Sequence, residues 1–457
     1  MWQEVRHTLR LGWPIILGNL TQIALGIIDN AMVGAIHSSQ LAAASLVNNI
    51  VAIPLILGMG LSMAISPLVA AAHGEGDTDK PLRILYNGLW ITVIVALLMA
   101  AGIHLGAGMV FHMGQDRIVA ELSVDYLIWM AWGMVPMVVF MASKQFADGL
   151  GMTRIPMYIS LASLPINVLV NYAFIFGKWG APRLELEGAG IGTLAARLLI
   201  ALAMLLYVFR APAFAPYRQH LRDQLRLRRE RIADIFRIGI PSGLQYGMES
   251  AAFAVSGIMA GWLGYVQQAA HQIALSLAAV TFMVSLGISV AGSIRVAYAY
   301  GQKDWEQARR IGISTIAMAI SYGLLCAGAF ILLRHRLPLL FNDEAPVLEF
   351  AATLLLLAGV FQISDSTQAV AVGLLRGLQD MRIPTFFVAV AYWIIGIPAG
   401  YALAFGLNLE VAGIWIGLVL GLSGSATFLS LRFLRLTGQR KGSPPQTEVT
   451  PEAVARG

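Results

Sequence analysis

The chain has 457 residues, 58% of them hydrophobic and 12% charged, with a mean hydropathy of +0.71. A soluble domain carries about 25% charged and about 45–50% apolar residues, so these values exclude one and point to a polytopic membrane protein. The net charge of +6 sits in the connections between apolar runs, as membrane orientation requires, and is not read as a nucleic-acid surface.

Twelve apolar spans are expected, at 11–36, 44–73, 86–112, 120–147, 154–177, 186–210, 233–262, 266–295, 309–335, 345–375, 383–405 and 411–436. Each is long enough to cross a bilayer as a helix, which needs roughly 20 mostly apolar residues. Met1–Arg10 is polar and the first apolar run is too long for a signal h-region, so no cleaved leader is expected. Lys and Arg gather at both termini and in the loops after spans 2, 4, 6, 8 and 10. The opposite face holds only Arg117, Lys178, Arg183, Arg334 and Arg336. This asymmetry predicts two cytoplasmic termini in a multi-pass protein of a plasma membrane, the inner one in a bacterium.

The first span, LGWPIILGNLTQIALGIIDNAMVGAI, contains Pro14, able to kink a helix, and Asp29 in a setting of apolar and small residues. A carboxylate at membrane depth costs about 2.5–3.5 kcal/mol, so Asp29 is a candidate cation or proton site unless it lies at the wet surface. In span 5, Asn167 and Asn171 (LPINVLVNYAF) are four apart and share a helix face. Facing Asp29, they would hold a cation or a protonated carboxyl; interhelical packing is the other reading.

Residues 210–232, RAPAFAPYRQHLRDQLRLRRER, form the richest basic loop. It is read as a cytoplasmic linker, partly an interfacial helix beside anionic lipid. It separates two repeats. Arg10-Leu-Gly-Trp-Pro14 matches Arg237-Ile-Gly-Ile-Pro241, and at the same offset of 227 Gly60 falls on Gly287, Ser62 on Ser289, Gly74 on Gly301 and Asp77 on Asp304. Later, GLGMTRIP at 149–156 resembles GLQDMRIP at 377–384. The expected fold is therefore all-α, twelve transmembrane helices in two six-helix parallel-repeat lobes (1–209 and 233–436) around a central cavity, with rocking of the lobes as the mechanism. Residues 437–457 read as a disordered cytoplasmic tail.

The second half carries two more intramembrane acids, Glu249 (GLQYGMESAAFAV) and Asp365 (GVFQISDSTQAVAV). Asp29 corresponds to Ser256 and Glu249 to Gln22, so the repeat does not copy its acids. His271, Gln272 and Ser276 (AAHQIALS), with Ser364, Thr367 and Gln368, are expected to surround Glu249. No second His or Cys stands at metal spacing, and no resident metal or cofactor is expected. Asp148, Arg154, Arg376, Asp380 and Arg382 are read as cytoplasm-facing span ends, whereas Arg197 either snorkels or pairs with an acid. The lone cysteine, Cys326, excludes an internal disulfide and is expected to pack. No Walker A loop, catalytic Ser/His or Cys/His arrangement, or dinucleotide fingerprint is present. An enzyme is not expected, and any pumping must draw on an ion gradient.

Several segments together resemble the multidrug and toxic compound extrusion (MATE) family, in its NorM-type branch. They are Pro14 with the D-x-x-M-V-G of Asp29–Gly34, INVLVNYAFIFGKWGAP at 166–182, the Glu249 region ending in AAHQIALS, SIRVAYAYGQKD at 293–304, and SDSTQAVAVGLLRGLQDMRIP at 364–384. The resemblance covers roughly residues 8–436. It implies a monomeric antiporter that exports cationic amphipathic compounds in exchange for H⁺ or Na⁺. Asp29 would be the first-lobe ion site with Asn167 and Asn171 as partners, Glu249 and Asp365 the second-lobe acids, and Pro14 the proline linked to bending of span 1. Phe361 stands where some relatives have a tyrosine, which tilts the expected ion towards H⁺. The alternative within the superfamily, a flippase of lipid-linked saccharides, would call for an arginine-lined cavity rather than an acidic one.

Overall fold

The computed structural model describes residues 2–219 and 225–439. It contains twelve long helical rods: α1 (Trp2–Gly34), α2 (Ser38–Gly74), α3 (Lys80–His112), α4 (Arg117–Gly149), α5 (Arg154–Phe176), α6 (Glu185–Arg210), α7 (Arg229–Leu263), α8 (Tyr265–Gly301), α9 (Trp305–Leu333), α10 (Ala345–Gly377), α11 (Arg382–Gly406) and α12 (Glu410–Gln439). Eleven are long and apolar enough to cross a membrane by length and composition. The twelfth, α7, is diluted by the polar side chains of Ser242, Gln245, Tyr246, Glu249 and Ser250. Helices α1, α2, α3, α4, α7 and α9 start three to nine residues before the apolar runs, because their first turns are polar; the others start within one residue of them.

Some rods are not uniform. α2 is interrupted at Ala64 and α4 at Gly133. α11 holds two wide π turns, Val390–Gly396 and Ala402–Gly406. Pro398 cannot donate to the carbonyl four residues back, and wide turns concentrate at functional sites. Pro14 lies inside α1, which continues through it as helix.

The two six-helix lobes meet along α1 with α8 and α2 with α7, and the contacts gather towards the end that carries both termini. A dry cluster of Ile15, Ala70, Val290, Ile294 and Ala297 lies in this seam. Glycines let backbone meet backbone there. A Cβ on Gly60 would strike the Gly243 backbone and stand 2.9 Å from the Gly239 carbonyl oxygen. At the repeat-equivalent place, a Cβ on Gly287 would meet Ile16. Likewise Gly74 lies against Tyr298 and Gly301 against Ala71. Each pair maps onto the other with the offset of 227, so the sequence repeat is also a two-fold repeat of contacts. Arg295 of α8 adds a polar tie, donating from Nη1 to the Glu4 carbonyl (2.8 Å) and Thr8 Oγ1 (2.7 Å) and pairing with the Glu4 carboxylate.

Three expectations need correction. The linker begins as a short 3₁₀ turn, Pro212–Arg218, and its aromatic residues are buried in the first lobe rather than laid on a membrane surface. Phe214 packs on Phe146 and Tyr207, and the Tyr217 hydroxyl shares a hydrogen bond with His73 Nδ1 at 2.9 Å. Burial, with Tyr298 nearby, holds that hydroxyl above its usual range, so it stays protonated. Residues 229–232 already belong to α7, and 220–224 lie outside the described residues. Helix α12 runs to Gln439, three residues into the expected tail; the rest of that tail, 440–457, also lies outside the described residues. Asp148 and Arg376 do not face water: they are 0% and 2% exposed. They occupy equivalent places in the two lobes. Asp148 is neutralised by Lys144 at 2.6 Å, and the Arg376 guanidinium lies 5.8 Å from the Tyr246 ring centre.

Candidate ion and substrate sites

The first-lobe site is assembled by α1, α5 and α6. Asp29 Oδ1 accepts a hydrogen bond from Asn171 Nδ2 at 2.7 Å, and the same nitrogen lies 3.2 Å from Asn167 Oδ1. The one-turn spacing of the two asparagines lets them act in series. Both are buried, whereas Asp29 is half-buried. Gly192 of α6 leaves room for Asn171, because a Cβ there would strike its Oδ1. Thr193 and Arg197, further along α6, complete the surroundings of the carboxylate.

The second-lobe site has a different form. Glu249 Oε1 accepts from Gln368 Nε2 at 2.8 Å and from Gln245 Nε2 at 3.2 Å. Glu249 and Asp365 both line a cavity of about 600 Å³ between α7, α8, α10 and α11. Tyr246, Phe253, Phe282, Phe361 and Tyr392 supply its aromatic walls. Phe253 stands edge-on to both Phe361 and Tyr392, with centroids 6.0 and 5.8 Å away. The cavity therefore has the dimensions of a small-molecule site. Its aromatic faces attract a cation, and no basic side chain is among its lining residues.

The residues expected around Glu249 divide. Gln368 and Gln272 face it or the cavity. His271 does not: its Nδ1 accepts from Trp415 Nε1 at 3.1 Å and its Nε2 lies 3.5 Å from Ser256 Oγ. Neighbouring residues on a helix point about 100° apart, so His271 and Gln272 reach different surroundings. Ser276 bonds back to the Gln272 carbonyl (2.8 Å), Thr367 to that of Ile363 (2.7 Å), and Ser364 to Ser423 (2.7 Å). None of these hydroxyls reaches Glu249. Tyr246 and Tyr392 were missed. A tyrosine in an apolar span reads as an interface anchor, and the wide turn Val390–Gly396 that carries Tyr392 shows only in the structure. Two phenols thus remain in the cavity although position 361 is a phenylalanine. Among the described residues no cluster of three or more His, Cys, Asp or Glu side chains is arranged to hold a metal.

The MatE family profile matches residues 14–173 and 241–402, one copy in each half, beginning 227 residues apart. The chain belongs to the MatE family. The probable multidrug resistance protein NorM of Rhizobium meliloti is 34% identical over 444 residues, covering 96% of this chain and 95% of that protein. The multidrug resistance protein MdtK of Edwardsiella ictaluri is 34% identical over 450 residues, covering 96% and 97%. Among solved structures, the outward-facing conformation of a multidrug resistance MATE family transporter superimposes with a TM-score of 0.88 at 20% identity, covering 96% of this chain and 97% of that one. The two-lobe MatE fold is thus shared across chains of very different sequence.

Proposed function

We propose that this MatE-family protein is a secondary active efflux antiporter. It exports cationic amphipathic compounds in exchange for H⁺ or Na⁺, as a monomer in the bacterial inner membrane with both termini in the cytoplasm. The observation that carries this reading is the pair Glu249 and Asp365 on the wall of an aromatic cavity of about 600 Å³ inside the membrane-spanning bundle. Acids at that depth are costly without a cationic partner. An organic cation and a coupling ion that compete for the same negative charge exchange with each other, and each biases the lobes only through its unequal affinity for their two arrangements. Acidic lining also suits a cation better than the pyrophosphate of a lipid-linked saccharide.

With the termini cytoplasmic, the seam that joins α1 to α8 and α2 to α7 closes the cytoplasmic end, and the lobes part towards the other side. Asp29, with Asn171 and Asn167, is the first-lobe coupling site, and Pro14 gives α1 a place to bend. Between the two ions we favour H⁺. A carboxyl with a single amide donor at 2.7 Å accepts a proton without the several oxygen ligands a metal cation requires.

The test is ethidium efflux from proteoliposomes under an imposed pH gradient alone and then a Na⁺ gradient alone. Drug exchange under at least one of them is expected, and Asp29→Asn should abolish it while the protein still inserts. Efflux under neither gradient would overturn the antiport reading; full efflux by Asp29→Asn would remove Asp29 from it.

A further inference from the structure

Arg197 is the one charged side chain of α6 between its ends, and the reading above gives it no task. Residues 190, 193 and 197 follow one face of that helix, and the face runs along α4. Gly190 lies against Tyr126 and Trp129, and Arg197 Nη1 stands 3.1 Å from where a Cβ on Gly133 would be. Gly133 is also the break in α4, and its lack of a side chain leaves room for the guanidinium. Nη1 is buried and has no hydrogen-bond partner. One turn back, buried Thr193 lies beside Asp29. Arg197 acts on that carboxylate through space, and the carboxylate in turn acts on the buried Tyr126. The guanidinium nonetheless makes no direct ion pair with it, and Asp29 Oδ1 is taken by Asn171. Asp29 is thus compensated in charge at a distance, with Asn171, Asn167 and Thr193 as its polar neighbours.

The second lobe is built on a different ratio. There Arg376, behind Tyr246 and outside the cavity lining, bears on Glu249, whereas the charge that bears on Asp365 is Glu249 and not an arginine. One acid beside one arginine on the first side, and two acids of which only Glu249 has an arginine near it on the other, give the lobes different appetites for positive charge. A specificity device of this kind works by repelling the wrong occupant as well as attracting the right one.

We propose that Arg197 is the fixed counter-charge of Asp29, closing the first-lobe site to organic cations and leaving those to the second-lobe cavity, while Asp29 serves a small exchangeable ion. This rests on the efflux reading above. The experiment measures ethidium binding to purified full-length protein by fluorescence anisotropy. Glu249→Gln/Asp365→Asn should weaken binding by about tenfold or more. Adding Arg197→Met should recover about tenfold, and further addition of Asp29→Asn should remove the gain. Arg197→Lys, which keeps the charge, should give no recovery, whereas a purely packing role would make Met and Lys behave alike. Asp29→Asn alone should lose efflux yet bind ethidium within about twofold of the parent protein, an arm that decides the matter even if Arg197→Met does not fold. Tenfold weaker binding by Asp29→Asn, or equal behaviour of Met and Lys, would overturn the proposal alone. Parent protein that neither binds nor exports the dye would remove it together with the efflux reading.

Discussion

The glycine seam makes a quantitative prediction. In Gly60→Ala the new methyl would collide with the Gly243 backbone and stand 2.9 Å from the Gly239 carbonyl oxygen. Every obstacle is main chain, so no side chain can swing aside. Overpacking of this kind costs about 1–3 kcal/mol, and here only while the lobes are closed at the terminus end. At about 1.4 kcal/mol per factor of ten, the closed-to-open ratio should fall by about 5- to 150-fold. Gly287→Ala should do less, because its nearest obstacle is the Ile16 side chain, with the Ile16 nitrogen next at 3.1 Å. Gly102→Ala, with nothing within 4 Å, should do nothing. Spin labels at Thr78→Cys and Gln302→Cys, in a Cys326→Ser background, would report the separation of the two loops after α2 and α8. The expected result is a longer-distance population that grows in the order Gly102→Ala, Gly287→Ala, Gly60→Ala. An unchanged distribution for Gly60→Ala, or an equal shift for Gly102→Ala, would refute the reasoning.

Other consequences are open to measurement. Gln368→Leu removes the 2.8 Å hydrogen bond to Glu249; at about 1–3 kcal/mol, the coupling-ion concentration for half-maximal efflux should move by about 5- to 150-fold, and an unmoved value would detach Gln368 from the site. His271→Ala leaves the buried Trp415 Nε1 without its acceptor, so the protein should lose about 1–3 kcal/mol in thermal unfolding while its ion dependence stays the same. A changed ion dependence would return His271 to the coupling machinery. Tyr392→Phe should keep thermal stability, because the ring still packs on Phe253, but alter dye binding. Tyr392→Leu should also lower stability, by about 0.5–1.5 kcal/mol for the lost ring contact alone. Equal dye affinity in Tyr392→Phe and the parent would show that the hydroxyl contributes nothing.

The membrane class, the helices and the repeat were legible because hydropathy and fixed-offset matches are properties of the chain itself. The meeting of Asn171 with Asp29 was legible for a related reason: a costly carboxylate needs polar partners, and an i,i+4 asparagine pair is a conspicuous source. What failed was whatever depended on which way a helix faces. His271 and Gln272 are adjacent in sequence and part company in space. Asp148 and Arg376 stand near helix ends, where distance along the axis suggests water, yet the packing of the lobes encloses them. Arg197 was visible as an anomaly, but its place near Asp29 depends on the register of α6 against α1. Tyr246 and Tyr392 were hidden because an aromatic residue in an apolar span looks the same whether it faces lipid, a neighbouring helix or a cavity.

The two-fold seam has a consequence for how such a chain can diversify. Gly60 and Gly287 are equivalent in position, and so are Gly243 and Ile16, the residues they meet, so a pair of identical halves would find the same closing contacts. Such a pair would also carry two copies of one chemistry, either two Asp29–Arg197 pockets or two acid-lined aromatic ones. Joining the halves in one polypeptide through the linker lifts that restriction. The contacts at the seam stay bound to the symmetry, and the interior of each lobe is free to take up its own half of a division of labour.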